Sequence, residues 1–305
     1  MAKVVTVFGA TGHQGGAVVR ALACDPNFKV RAVTRGDSQC DKVHNLTSCG
    51  AEVLTCNYND VTSIKQTLTG ADACFVVTYT DFSNADCMDE ELKIGRNFSK
   101  ACAAAGVKHV LYGTQLNTLN IIGIAARHLV AKAQIQEYFM EENLPMTYIL
   151  VPCYYENLFD YLKPEKIDNK SFRLAIPMGT SPLDMVCVED IGEIAKLVFK
   201  NKEKFLNKTL SVAGDKITIK EMAATLSRYL APMNFKERQV TLTEYRSLPY
   251  PWAKDFANMF DFFLRVDQRY NVQYTKQNYN PKMQTFSDWV QANVEKLHQE
   301  FNKKT

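Results

Sequence analysis

No Cys-x-x-Cys pair occurs among the nine cysteines, and the five histidines (His13, His44, His109, His128, His298) lie at no ligand spacing from one another or from a cysteine. Those absences argue against a secreted disulfide framework and against a metal site, and leave reduced thiols in the cytoplasm, or in the nucleus, as the expectation. Cys74 and Cys102 fall within apolar patterns and read as core filler. An excess of one charge is missing too, with 36 basic residues against 33 acidic ones and no long block of either. Direct nucleic-acid binding is therefore not expected. No apolar run reaches membrane-spanning length, and the first strand pattern begins too early for a secretory leader. Repeats, low-complexity tracts and long linkers are also lacking. What remains is a chain of 305 residues, 46% hydrophobic, enough for one large α/β domain or two smaller ones.

The most informative stretch present is Gly9-Ala10-Thr11-Gly12-His13-Gln14-Gly15-Gly16, which follows the apolar run 4–8. It reads as a strand, a tight turn and a helix start. Glycines there let the backbone approach a pyrophosphate, and the helix N-terminus faces its charge. The spacing departs from Gly-x-Gly-x-x-Gly, but the apolar positions Val18, Val19 and Leu22 and an alternating strand pattern at 29–34 supply the context of a dinucleotide site. Strand patterns recur at 52–55, 73–78, 109–112 and 147–151. Helical ones lie at 62–68 (capped by Asp60 or Thr62), 86–105 and 125–142. This alternation predicts an α/β fold with a Rossmann-like, doubly wound parallel sheet. Residues 1–153 would form the dinucleotide-binding domain. Residues 154–305 would form a smaller, mixed α/β C-terminal lobe, interleaved with the sheet, which the strand pattern near 209–212 is a candidate to join. In that lobe Thr218-x-x-Glu221 is a capping box.

Thr34-Arg35-Gly36 stands where an NAD-preferring site carries an acidic residue. A guanidinium there pairs with a 2′-phosphate, so NADP(H) is the expected cofactor. The alternative is a solvated arginine at a strand end, and Asp37 close by weighs on that side.

The glycine turn with Val33-Thr34-Arg35, then Pro152-Cys153-Tyr154-Tyr155-Glu156-Asn157-Leu158 and Asp255-Phe256-Ala257-Asn258-Met259-Phe260, resembles the NmrA-like group of atypical short-chain dehydrogenases over nearly the whole chain. The resemblance implies an NADP(H)-binding redox sensor or regulator of transcription pathways that forms homodimers, engages regulatory protein partners and occupies cytoplasm and nucleus. It places Gly9, Ala10, Thr11, Gly12, His13 and Gln14 at the pyrophosphate and Arg35 at the 2′-phosphate. Asn59 and Asp60 would lie near the adenine, with Val77, Thr78 and Tyr79 after the fourth strand. Lys93 and Lys132 match family lysines, and Tyr154, Tyr155, Glu156 and Asn157 would approach the nicotinamide end. The segment 79–86 is longer than the family pattern.

Short-chain dehydrogenases use Tyr-x-x-x-Lys with a Ser or Thr that steadies the carbonyl. Here His128-Leu129-Val130-Ala131-Lys132 stands in that place, so the tyrosine is missing, and the serine position falls on Gly113, beside Thr114. Tyr250 and Lys254 alone among the 14 tyrosines keep the spacing, but Pro249 and Pro251 flank the tyrosine. His128 reads as a proton donor or as a scaffold residue, and Lys132 as a cofactor contact or a surface lysine. The leading expectation is a sensor with a degenerate dehydrogenase site. The rival is an NADPH-dependent reductase of a small enone, quinone or aldehyde, with Lys132, His128 or a water as acid.

Overall fold

In the computed structural model, which describes residues 2–36 and 41–303, the alternating pattern becomes strands β1 (Lys3–Val7), β2 (Phe28–Thr34), β3 (Glu52–Thr55), β4 (Ala73–Val76), β5 (Val110–Thr114) and β6 (Met146–Leu150). Helices α1 (His13–Ala23), α2 (Asp41–Ser48), α3 (Val61–Leu68), α4 (Cys87–Ala105), α5 (Thr118–Ile122) and α6 (Arg127–Glu141) separate them. A further strand, Lys208–Ser211, pairs with β6. All seven run parallel in the order Lys208–Ser211, β6, β5, β4, β1, β2, β3. This is the expected doubly wound sheet. Its order reverses between β1 and β4, and that switch point opens a crevice at the strands' carboxyl ends. Into it run the glycine turn after β1 and residues 77–80 after β4.

Every residue of β4, β5 and β6 is buried, as a sheet covered on both faces requires. One side packs on a cluster in which Phe8, Tyr58 and Phe98 meet edge-on, with centroids 4.8 to 5.9 Å apart. Cys74 and Cys102 lie in the same cluster with sulfurs 3.8 Å apart, and burial pushes the Cys74 thiol up, away from reactivity. Elsewhere α1 meets the helix Val188–Lys200 at Gly192, where a Cβ would stand 2.4 Å from the Ala17 carbonyl oxygen. Asp60, one of the two capping residues the sequence offers, caps α3 by accepting from the Thr62 N–H at 2.8 Å.

His109, just ahead of β5, shares a 2.8 Å hydrogen bond with the Thr147 hydroxyl, which itself donates to the Phe205 carbonyl. Burial, with smaller contributions from Lys202 and Lys3, pushes its imidazole down from 6.5 to about 4. The unfolded chain takes up this proton near 6.5 while the folded chain resists it until about 4, so His109 costs nothing above pH 6.5. As pH falls between those values it removes up to about 3 kcal/mol of stability. Urea unfolding at pH 7 and pH 4.5 should show a smaller difference for His109→Gln than for the parent chain. An unchanged difference would sink the assignment.

The chain divides into two units, Met1–Leu150 with Val188–Ser211, and Val151–Cys187 with Val212–Thr305. The second unit contains two three-stranded sheets, one ordered Asp215–Ile217, Leu183–Val186, Cys153–Tyr154 and the other Asn234–Glu237, Ser171–Leu174, Glu165–Lys166. The capping box read at Thr218 and Glu221 opens the helix Ile219–Tyr229. Helix Ala253–Arg265 buries Phe256 and Phe260 on one face and Phe262 on another. Tyr250 stands before that helix, stacked on Trp252 with centroids 5.1 Å apart, while Lys254 lies in its first turn. The pair thus has a dehydrogenase's spacing without its helical geometry. No helix among the described residues is long and apolar enough to cross a membrane, and among them no three metal-ligating side chains cluster.

Candidate functional site

The glycine turn is shaped by contacts that no side chain at its key positions would allow. Gly9 adopts φ +66°, and a Cβ there would stand 2.9 Å from Val77 Cγ1. At Gly15 a Cβ would stand 2.2 Å from the Gly9 carbonyl oxygen, so the first turn of α1 lies directly on the end of β1. The turn closes through Gly12 N–H to Gly9 O and Gly16 N–H to Gly12 O, both 2.9 Å, and Ala10 N–H reaches Val33 O at 3.3 Å. Gly12, the N-cap of α1, brings no side-chain hydrogen bond, and the first turn holds no acidic residue. Nothing acidic in that turn answers the positive end of the helix dipole, so the arrangement suits an anion such as a pyrophosphate.

Tyr58, which the sequence reading passed over, is built into this turn. Its hydroxyl accepts the Gly9 N–H at 3.1 Å and donates to Val33 O at 3.4 Å. Burial pushes the phenol up to about 12, so it remains protonated and serves both bonds. Asn59 and Asp60 follow it on the exposed loop. Asn59 N–H donates to Asn57 Oδ1, and Asp60 is taken up in capping α3. The signal available in the sequence was an aromatic residue amid polar ones in Asn57-Tyr58-Asn59-Asp60. Exposed Arg35 extends from the end of β2 between two rings, its guanidinium carbon 5.8 Å from the Tyr58 centroid and 5.5 Å from that of Tyr79. Asp37 lies outside the described residues.

Pairing in the sheet stops at Val76, two residues short of the strand pattern, because the chain beyond it turns toward α4. Thr78 Oγ1 donates to Glu91 Oε1 at 2.6 Å, and Thr80 Oγ1 bonds Glu91 Oε2. Glu91 has a side chain with 0% exposure, and it receives Lys132 Nζ at 2.7 Å. One turn along α4, Gly95 supplies the close approach that this needs, since a Cβ there would stand 2.3 Å from Ile135 of α6. The Lys132 ammonium also reaches Thr80 Oγ1 at 3.2 Å and the His128 carbonyl at 3.5 Å. Three acceptors thus take its three protons, on a side chain only 16% exposed. Lys93 sits two residues after Glu91, on another face of α4, and is exposed. The carboxylate, not the family lysine, is what α4 brings to Lys132. His128 packs its ring edge-on to Phe82 at 5.4 Å.

The serine position of a reductase is filled from elsewhere. A Cβ on Gly113 would stand 2.9 Å from Oε1 of the buried Gln14 side chain, and the neighbouring Thr114 hydroxyl donates to Gln136 Oε1 at 2.8 Å. Tyr154, Tyr155, Glu156 and Asn157 belong to the second unit. Tyr155 is fully buried and donates to the Gln284 carbonyl at 3.1 Å, and Glu156 Oε1 accepts from Trp289 Nε1 at 3.0 Å and from the Cys187 thiol. Tyr154 and Asn157 are half-buried beside them.

Residues 1–291 match the sequence profile of the NmrA-like family. An NmrA-like family domain-containing protein of Dictyostelium discoideum is 28% identical over 239 residues, covering 75% of this chain and 78% of the relative. An NmrA-like family domain-containing oxidoreductase of an Aspergillus species is 30% identical over 244 residues, 72% of this chain and 70% of the relative. Among solved structures, NmrA, a negative transcriptional regulator, in complex with NADP, superposes with a TM-score of 0.81 at 16% identity, over 98% of this chain and 97% of that one. That last likeness is one of fold.

Proposed function

The chain belongs to the NmrA-like family, and from that premise we propose that it is an NADP(H)-binding regulatory protein, a redox sensor, whose dehydrogenase site has degenerated. The observation that carries the reading is Lys132, whose three ammonium protons are engaged by Glu91, Thr80 and the His128 carbonyl. A lysine so held has no proton left to offer a substrate or a neighbouring phenol, and no tyrosine stands four residues before it. In this reading Gly9, Ala10, Thr11, Gly12, His13 and Gln14 bind the pyrophosphate, and Arg35 binds the 2′-phosphate while Tyr58 and Tyr79 flank its guanidinium. Asn59, Asp60, Val77, Thr78 and Tyr79 line the adenosine side. Lys93, exposed on α4, completes the set, while Lys132 acts through Glu91 and Thr80, which it holds beside the residues after β4. The group itself would supply a hydride. A sensor instead uses its occupancy, which requires the nucleotide to bind two states of the protein with different affinity. A homodimer with regulatory protein partners, in cytoplasm and nucleus, fits that role.

The rival reading, a reductase of a small enone, quinone or aldehyde, draws on the oxidoreductase name of the Aspergillus relative. Incubating the pure chain with NADPH and a panel of such carbonyl compounds decides between them. The sensor reading expects binding without turnover, together with a nucleotide-dependent change in protease sensitivity. Sustained NADPH consumption with any panel member would overturn it. In the same titrations Arg35→Asp should weaken NADPH by about 10- to 100-fold, the worth of a charge-assisted phosphate contact, while NADH changes little. Equal losses for both nucleotides would remove Arg35 from the 2′-phosphate.

A further inference from the structure

Thr78, Tyr79 and Thr80, which follow β4, alternate between buried and exposed, at 6%, 54% and 5%. An extended chain turns successive side chains to opposite sides, so the two threonines face inward and the tyrosine faces out between them. Both threonine hydroxyls are fastened to one carboxylate, Thr78 Oγ1 to Glu91 Oε1 at 2.6 Å and Thr80 Oγ1 to Glu91 Oε2, and Lys132 Nζ balances that carboxylate at 2.7 Å. The chain is thus pinned on either side of Tyr79. Its side chain has no such anchor, since among the described residues its ring meets no other ring and its hydroxyl makes no hydrogen bond. What the ring does meet is a cation, the Arg35 guanidinium, whose carbon stands 5.5 Å from the centroid. Attraction between a cation and a ring face, rather than burial, accounts for that placement. Tyr58 offers Arg35 a second ring at 5.8 Å, itself fixed by the Gly9 N–H and the Val33 carbonyl. Asp81, two residues beyond Tyr79, has its Oδ1 occupied by the N–H and the hydroxyl of Ser83 at 3.1 and 2.6 Å, and it faces Arg35 without forming an ion pair. Rings hold a guanidinium without consuming its N–H donors, which stay open to an anion.

We propose that Tyr79 sets how strongly the chain prefers NADP(H) to NAD(H), its ring fixing the Arg35 guanidinium toward the 2′-phosphate while the Glu91–Lys132 pair aims the ring through Thr78 and Thr80. Tyr79 is a positioning residue in this assignment, acting on the phosphate through Arg35. A long side chain at an exposed strand end otherwise loses its rotamer freedom when it takes hold of a ligand, and a ring that already holds it removes part of that cost. The assignment rests on placing the 2′-phosphate at Arg35 and adds how a surface arginine comes to be ordered there.

Calorimetric titration of the full chain with NADPH and with NADH, which lacks only the 2′-phosphate, tests the proposal in variants of this exposed side chain. Tyr79→Ala should weaken NADPH about three- to tenfold, the worth of ordering one long side chain, and NADH less than about twofold. Tyr79→Phe keeps the ring and should leave NADPH within about twofold of the parent chain. In an Arg35→Ala background, Tyr79→Ala should weaken NADPH no further. Equal losses of the two nucleotides in Tyr79→Ala would put the ring on the adenine instead, and a Tyr79→Phe variant as weak as Tyr79→Ala would put the effect in the hydroxyl; either result overturns the assignment. Arg35→Ala distinguishes that failure from failure of the underlying reading. A preference for NADPH that survives Arg35→Ala removes the 2′-phosphate from Arg35 and the proposal with it, whereas a preference lost in Arg35→Ala but kept in Tyr79→Ala removes the role of Tyr79 alone.

Discussion

Lys132→Ala should destabilise the protein by about 3–5 kcal/mol, far beyond the effect of removing a surface lysine, because it strands a fully buried carboxylate. Glu91 would keep the Thr78 and Thr80 hydroxyls but lose the Lys132 ammonium that balances its charge. Adding Glu91→Gln should return a large part of that loss, since the amide needs no cation and still accepts from a threonine. Urea unfolding of the two single variants and the double one gives the coupling, expected at about 2–3 kcal/mol. If Lys132→Ala costs less than about 1 kcal/mol, the pair does not hold α4 against α6. The result also governs how any loss of nucleotide binding in Lys132→Ala is read. Only the double variant separates a missing contact from a disturbed fold.

Gly15→Ala should be nearly as costly and, unlike the first, should act directly on the nucleotide site. The new Cβ would fall 2.2 Å from Gly9 O, 2.6 Å from Gly9 C and 2.9 Å from Phe8 O, all backbone atoms that cannot swing aside. Relief requires α1 to back away from β1, at about 3 kcal/mol and with NADPH binding weakened at least about 100-fold. Gly192→Ala provides the control. Its Cβ meets the Ala17 backbone at 2.4 Å, so it should cost similar stability by parting two helices, yet leave the turn between Gly9 and Gly12 intact. Nucleotide affinity that fell equally in both variants would show that the turn's geometry is not what binds. Isothermal titration beside thermal unfolding separates the two readouts.

What could be read from the sequence was what repeats locally. The strand periods, the glycine turn, the Asp60 cap and the Thr218–Glu221 box each lie within a few residues of chain, and each stands in the fold. What escaped depends on contacts between distant segments. Glu91 lies on a different helix from Lys132, 41 residues away along the chain, and no helical spacing joins them. On its own helix it is overshadowed by Lys93, which family likeness singles out and which points elsewhere. Tyr58 escaped for a similar reason. Its neighbours Asn59 and Asp60 looked like ligand contacts, while the phenol that holds the turn passes for core. Tyr155 and Glu156 show the converse, since residues picked out by a motif have hydroxyl and carboxylate engaged within their own unit.

Gln14 reaches into the space beside Gly113. Gly113→Ser, the obvious first step back toward a carbonyl-steadying hydroxyl, would drive its Cβ to 2.9 Å from that amide oxygen. The amide is the far end of a flexible side chain and gives way by turning aside, and position 14 lies in the turn proposed to hold the nucleotide. A hydroxyl at position 113 is thus coupled to the rotamer of a residue in the glycine turn, so the two positions answer to each other although they lie 99 residues apart along the chain.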